Sequence, residues 1–219
     1  MAVDYSVSVS RMTVVTGLFA GLLTGCALAG EPSVACTTAS PALVDQLAEG
    51  DIILQRSRSQ QSVALRAATG SPWTHVGLVF EHKGQWQVLE AVQPVRWTPL
   101  QRWVDRGKDG EVVVMRYPGA FDADALQAAG ESYLGLPYDT LFQWSDERIY
   151  CSELVYKAWE KVGVEVGVQR PMGSFDLSSK EVRGLIAART TDGIEEGEPV
   201  VAPSAFMEDE RLIVVVGSR

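Results

Sequence analysis

The chain has 219 residues, of which 46% are hydrophobic and 21% charged, a composition typical of a soluble globular protein with a sizeable buried core. Its 28 acidic and 19 basic residues give a net charge of −9. Nucleic-acid binding requires clustered Lys and Arg, and the sequence contains no such cluster. The charge balance therefore excludes nucleic acid as the main partner.

The N-terminus has the pattern of an export signal. Arg11 precedes an apolar run over 12–23, which has the length of a signal-peptide core and is too short to span a bilayer. The run closes on Leu-Thr-Gly-Cys, which resembles a bacterial lipobox and implies that Cys26 is lipidated and becomes the mature N-terminus. Two alternatives stay open: cleavage after Ala29, which would release a soluble periplasmic protein, and an apolar helix that belongs to the fold.

This pattern sets the predicted organisation of the chain. We expect a signal segment over 1–29, a linker over 30–39 and a single domain over 40–219. The lipid would anchor the protein in the bacterial cell envelope, facing the periplasm.

The cysteines favour neither a disulfide framework nor a metal site. Cys36 is left unpaired if Cys26 carries lipid and Cys151 is a nucleophile. The sequence has no C-x-x-C motif, and two histidines among scattered cysteines give no zinc-binding spacing. It also lacks a phosphate-binding loop, a G-x-S-x-G motif and an internal repeat. We therefore predict no metal and no cofactor.

Hydrophobic periodicity and turn residues predict a mixed set of helices and strands. In chain order these are a helix over 41–48, a strand over 51–55, a helix over 60–68, strands over 74–80 and 86–92, a short helix from 98, a strand over 112–115, helices over 122–134 and 151–162, a stretch over 163–199 that is mostly loop, and a strand over 212–216. Helices at both ends of a run of strands, without strict alternation, favour the α+β class.

The predicted hairpin sets a histidine beside a carboxylate. If the polar turn over 81–84 closes symmetrically, with a two- or four-residue loop, His75 lies directly opposite Glu90. Opposed side chains on one face of an antiparallel pair are about 5 Å apart at Cβ. A carboxylate there can fix the orientation and tautomer of the imidazole. A one-residue bulge would break this register.

The helix over 151–162 carries a cysteine at its start. Its apolar residues form one stripe, which turns Cys151 inward at the first turn. A helix N-terminus and a nearby imidazolium both lower a thiol pKa, and only the thiolate attacks. Unpaired N–H groups at the terminus can serve as an oxyanion hole. Each residue also has an ordinary structural explanation, since Cys151 and His75 can be core residues and Glu90 a solvated strand residue. Both interpretations stay open on these residues.

The same residues resemble the YiiX-like, permuted papain-like branch of the NlpC/P60 superfamily. The matching stretches lie over 50–53, 69–77, 90–91, 135–139 and 150–155. In the permuted branch the His strand precedes the Cys helix, as it does here. The resemblance implies a central antiparallel sheet packed against the Cys helix, with Cys151 as nucleophile, His75 as base and Glu90 as orienting residue. Tyr138 matches a family motif near the site, where it either binds substrate or packs.

Three functions follow as hypotheses. The first is an exported cysteine hydrolase that cleaves amide bonds in peptidoglycan stem peptides or related peptides through an acyl-enzyme. The second is an acyltransferase or thioesterase acting on lipid-like acyl substrates. The third is a catalytically silent lipoprotein that binds envelope ligands.

Overall fold

A six-stranded antiparallel sheet organises residues 41–217, which the computed structural model describes. The elements are, in chain order, α1 (Pro41–Val44), β1 (Asp51–Ser57), α2 (Gln60–Thr69), β2 (His75–His82), β3 (Gln85–Glu90), β4 (Arg96–Pro99), α3 (Leu100–Arg106), β5 (Gly107–Arg116), α4 (Ala123–Glu131), α5 (Cys151–Lys161), β6 (Gln169–Pro171), a 3-10 turn (Met172–Ser174), α6 (Lys180–Arg189), β7 (Pro199–Val201), α7 (Ala205–Glu208) and β8 (Ile213–Val216). The strand order of the six-stranded sheet is β4-β3-β2-β1-β5-β8, and a separate two-stranded sheet pairs β6 with β7. The predicted α+β class is confirmed.

The two faces of the sheet carry different layers. Alternate residues of β2, such as Val76 and Leu78, lie in one core cluster with Val155 and Trp159 of α5. Val79, on the opposite face, clusters instead with Trp103 of α3. The predicted stripe of α5 is buried from Cys151 through Trp159, so the sequence pattern oriented this helix correctly.

The hairpin register differs from the predicted one. The tight turn contains only Lys83 and Gly84, so His82 pairs with Gln85 and Leu78 with Leu89. The register is therefore displaced by two residues, and His75 is not directly opposite Glu90. Because strand side chains alternate with a period of two, this displacement leaves both residues on the same face, where they meet diagonally.

The segment over 163–199 is more ordered than predicted. It contains α6, which the sequence analysis assigned to loop, together with β6 and β7. The side chain of Ser179 caps α6 by accepting a hydrogen bond from the backbone N–H of Val182. β4 was also missed, because the helix predicted from residue 98 begins only at Leu100.

Three N-terminal features lie outside the described residues: the predicted signal segment over 1–29, the lipidation site Cys26 and the linker over 30–39. Among residues 41–217, none of the helices is long and apolar enough to cross a membrane.

Gly77 marks a close approach between β2 and β3. A Cβ atom added there would lie 2.5 Å from Cγ1 of Val88 and 2.9 Å from the backbone oxygen of Leu89. Gly77→Ala should therefore lower the free energy of unfolding by about 2 kcal/mol, measured by chemical denaturation. The matched control is Gly184→Ala within α6, where nothing lies within 4 Å of the added atom. That change should raise the free energy of unfolding by about 0.5–1 kcal/mol. Equal stability of Gly77→Ala and the wild type would contradict the close approach.

Candidate active site

Cys151 is the first residue of α5, and its neighbours fix the start of that helix. The backbone N–H of Tyr150 donates to Oε2 of Glu153 at 3.3 Å, and Oγ of Ser152 donates to the backbone oxygen of Val201 at 2.7 Å. Lys157 pairs with Oε1 of Glu153 at 2.8 Å, one turn further along the helix. Ser152 thus ties the start of α5 to β7, and Glu153 ties it to Lys157 in the second turn of the same helix.

The sulfur of Cys151 lies beside the beginning of β2. The imidazole of His75 and the backbone N–H of Val76 are polar neighbours of the sulfur, and both favour its thiolate form. Burial raises the pKa of the thiol, but the hydrogen bond and charge of His75, with help from Val76 and Ser152, outweigh burial and lower it. Burial likewise lowers the pKa of His75, but its interactions with Cys151 and Glu90 raise it to about 9. Both shifts favour a thiolate–imidazolium pair at neutral pH.

Glu90 holds the other side of the imidazole. Nε2 of His75 lies 2.6 Å from Oε2 of Glu90, which leaves Nδ1 as the ring nitrogen for Cys151. The indole of Trp103 stacks on the imidazole, with ring centroids 6.0 Å apart. The predicted trio of Cys151, His75 and Glu90 is therefore brought together from α5, β2 and β3.

The carboxylate of Glu90 is fully buried and surrounded by donors. Thr98 Oγ1 donates to Oε1 at 2.7 Å and Trp103 Nε1 to Oε2 at 3.1 Å. Arg106 binds both oxygens, with Nη1 2.9 Å from Oε1 and Nη2 in contact with Oε2. Burial raises the pKa of Glu90, but His75 and Arg106 outweigh burial and lower it to about 2. Glu90 is therefore ionised throughout the neutral range.

The donors to Glu90 were not predicted from the sequence. Trp103 and Arg106 are three residues apart on one short helix, so the pattern indicates that they share a face. Nothing in the sequence indicates that this face meets the end of β3. The donors depend on tertiary packing, and no local signal marks them.

Tyr138 is held close to the start of α5. A β-bridge pairs Tyr138 with Ile149, two residues before the nucleophile helix, and the backbone N–H of Tyr138 donates to Oε1 of Gln93 at 2.7 Å. The Tyr138 phenol lies close enough to Cys151 for the charge of the thiolate to act on it. Burial, and then the charge of Cys151, raise the pKa of this phenol well above its usual value, so the hydroxyl stays protonated. Asp139 organises the following turn by accepting from the N–H groups of Leu141 and Gln143.

A cleft of about 590 Å³ lies beside His75 and Tyr138. It is lined by Ser57, Ser59, Gln61, Thr74, His75, Ala91, Val92, Gln93, Arg106, Tyr138, Thr140 and Arg189. His75 is 9% exposed and lines the cleft together with Tyr138, whereas Cys151 is 2% exposed and lies behind the lining residues. Within residues 41–217, no three His, Cys, Asp or Glu side chains converge in a way that could hold a metal ion.

Known proteins match this chain over most of its length. YiiX of Escherichia coli K12 is 40% identical over 179 residues, which cover 80% of this chain and 89% of YiiX. The crystal structure described as that of the metalloprotein YiiX from Escherichia coli O157:H7 is 39% identical, with a TM-score of 0.75, and the match covers 80% of this chain and 98% of that one. Residues 46–216 match the model of a family described as permuted papain-like amidase enzymes, YaeF/YiiX. The predicted family is confirmed: the chain belongs to the permuted papain-like amidases of the YaeF/YiiX (C92) family.

Proposed function

We propose that this cysteine hydrolase cleaves amide bonds with Cys151 as nucleophile, His75 as general acid and base, and Glu90 as the residue that orients the imidazole. The observation that carries the proposal is the charge arrangement along the three side chains. A buried, ionised Glu90 stabilises the charged form of His75, and His75 in turn stabilises the thiolate of Cys151. Such an arrangement activates a nucleophile without any further group.

The proposed reaction has two halves. The thiolate of Cys151 attacks the amide carbonyl carbon, and a C–S bond forms as the carbonyl oxygen becomes an oxyanion. The imidazolium of His75 then gives its proton to the leaving amine, the C–N bond breaks, and an acyl-enzyme remains. Water attacks the thioester while His75 takes its proton, which releases a carboxylic acid and restores the thiolate–imidazolium pair. The Tyr138 hydroxyl and the first N–H groups of α5 are the proposed donors to the oxyanion.

The proposed substrate is a peptidoglycan stem peptide or a related envelope peptide. The amide chemistry of the family and the predicted export signal together support this substrate. We propose that Cys26 is lipidated and anchors the protein in the cell envelope, facing the periplasm, with soluble release after Ala29 as the alternative. Mass spectrometry of the mature N-terminus distinguishes a lipid-modified Cys26 from a chain that begins at Gly30.

An acyl substrate is the second candidate, and an apolar pocket favours it. The pocket, of about 90 Å³, lies between α2, α6 and the turn after Asp139, and its wall includes Leu65, Phe142, Phe175 and Ile186. Thr140 and Arg189 line both this pocket and the cleft. An aliphatic chain would gain about 0.8 kcal/mol for each methylene group buried there. Reaction of Cys151 with fatty-acyl thioesters but not with peptide amides would select this candidate.

The function is tested by incubating the purified protein with muropeptides. The wild type should release cleaved stem peptides, and Cys151→Ala should lower the rate by at least about a thousandfold because no nucleophile remains. Cys36→Ala is the matched control and should retain wild-type activity. Equal cleavage by the wild type and Cys151→Ala would exclude Cys151 as the nucleophile. No reaction with either amides or thioesters, together with an ordinary thiol reactivity at Cys151, would favour a silent binding protein.

A further inference from the structure

Two hydrogen bonds in series run from α6 to the Tyr138 hydroxyl, which lies beside Cys151. Nη2 of Arg189, the last residue of α6, donates to Oε1 of Gln61 at 2.5 Å. Nε2 of Gln61 donates to the hydroxyl oxygen of Tyr138 at 2.9 Å. The Tyr138 phenol in turn lies beside Cys151, whose negative charge raises the pKa of the phenol. These contacts join three distant parts of the chain: α2, the turn after Pro137, and the segment over 163–199 that was predicted to be mostly loop.

The donor and acceptor groups of these side chains determine which partner donates in each hydrogen bond. A guanidinium only donates, so Arg189 requires the amide oxygen of Gln61 to face it. The NH2 group of Gln61 must then face Tyr138 and donate to its oxygen. The phenol has a single proton, and because its oxygen is already an acceptor from Gln61, that proton is free to be donated to Cys151. Arg189 is itself held in place, because Nη1 donates to the backbone oxygen of Thr140 at 2.7 Å and its guanidinium lies 5.9 Å from the ring centroid of Phe142.

We propose that Gln61 and Arg189 are positioning residues that fix the Tyr138 proton toward the reacting centre. In the resting enzyme that proton is donated to the sulfur, and during attack it stabilises the oxyanion that forms beside the sulfur. The helix α6 thereby takes part in the reaction through Arg189, although it contributes no side chain to the trio of Cys151, His75 and Glu90. This assignment rests on the proposed function, since it names how that same site is completed.

Gln61→Glu is the decisive variant. It keeps the size of the side chain and can still pair with Arg189, but an ionised carboxylate only accepts. Tyr138 would then donate to the carboxylate and turn its proton away from Cys151. We expect kcat for amide cleavage to fall by about 100- to 1,000-fold, as when one oxyanion donor is lost, with KM changed less than about twofold. Tyr138→Phe should give a loss of the same size, and Arg189→Met a smaller one.

A double variant separates this role from a general effect of added charge. If Gln61 acts through the Tyr138 proton, Gln61→Glu should change kcat by less than about twofold in the Tyr138→Phe background. If the new charge merely repels the thiolate, the loss should persist in that background. Gln127→Glu on α4 adds the same charge away from the cleft and is the matched control. Wild-type kcat in Gln61→Glu, or losses that multiply in the double variant, would overturn the proposal.

A second readout does not depend on amide cleavage. The pH midpoint for alkylation of Cys151 by iodoacetamide should rise in Tyr138→Phe and in Gln61→Glu, because the thiolate loses a donor in both. It should not rise further in the double variant. An unchanged midpoint in Gln61→Glu would overturn the positioning role even if no substrate were found. Cleavage by the wild type combined with an unchanged Gln61→Glu would leave the proposed function intact and remove only this inference.

Discussion

Replacing His75 by asparagine should lower kcat/KM for amide cleavage by about a thousandfold or more. The variant has no imidazolium to stabilise the thiolate and no group to protonate the leaving amine. His82→Asn is a matched control, since His82 ends the same strand and lies 3.6 Å from a carboxylate of its own, Glu131. It should keep activity within about twofold of the wild type. Equal losses in the two variants would mean that His75 contributes only to folding.

The charge state of His75 also sets an upper pH limit. Its pKa is raised to about 9, so the imidazolium that protonates the leaving amine persists through the neutral range. Amide cleavage should therefore decline as the pH rises through about 9. Alkylation of the sulfur should not decline there, because the thiolate remains deprotonated at higher pH.

Glu90→Gln should produce the second large effect. All four side-chain partners of Glu90 donate hydrogen bonds, so the amide NH2 of glutamine would face a donor and leave polar groups unpaired. We expect a loss of about 1–3 kcal/mol in the free energy of unfolding. We also expect kcat/KM to fall by about a hundredfold or more, because neither the charge nor the orientation of His75 is maintained.

Glu131→Gln is the control for the second effect, since Glu131 also pairs with a histidine but lies outside the cleft. It should change kcat/KM by less than about twofold. The test also uses thiol alkylation, which should move to higher pH in Glu90→Gln and not in Glu131→Gln. An unchanged alkylation profile in Glu90→Gln would show that the carboxylate does not act through His75.

The sequence predicted correctly that Cys151, His75 and Glu90 lie together, although the predicted hairpin register was wrong. The hairpin register is displaced by two residues, yet His75 and Glu90 still meet because a displacement of two preserves the face of each strand. A displacement of one would have separated them. When a turn can close in several ways, the face of the sheet on which a side chain lies can thus be predicted more securely than its exact partner on the neighbouring strand.

The helix α6 was not predicted, although its sequence has helical features. Val182, Leu185 and Ile186 have helical spacing and follow the capping residue Ser179, so a signal was present. Gly184 in its middle and the Gly-rich flanking sequence obscured it. The donors around Glu90 are a different case. They depend on how α3 packs against β3, and the sequence carries no local pattern for that contact.

The charge on one sulfur atom decides whether this site can work as an enzyme at neutral pH. The direct measurement is the iodoacetamide alkylation rate of Cys151 in the full chain as a function of pH, followed by peptide mass spectrometry so that Cys26 and Cys36 are counted separately. We expect a midpoint clearly below about 8.5, the ordinary thiol value, with an upward shift in His75→Asn. A wild-type midpoint at or above that value would contradict the thiolate–imidazolium pair.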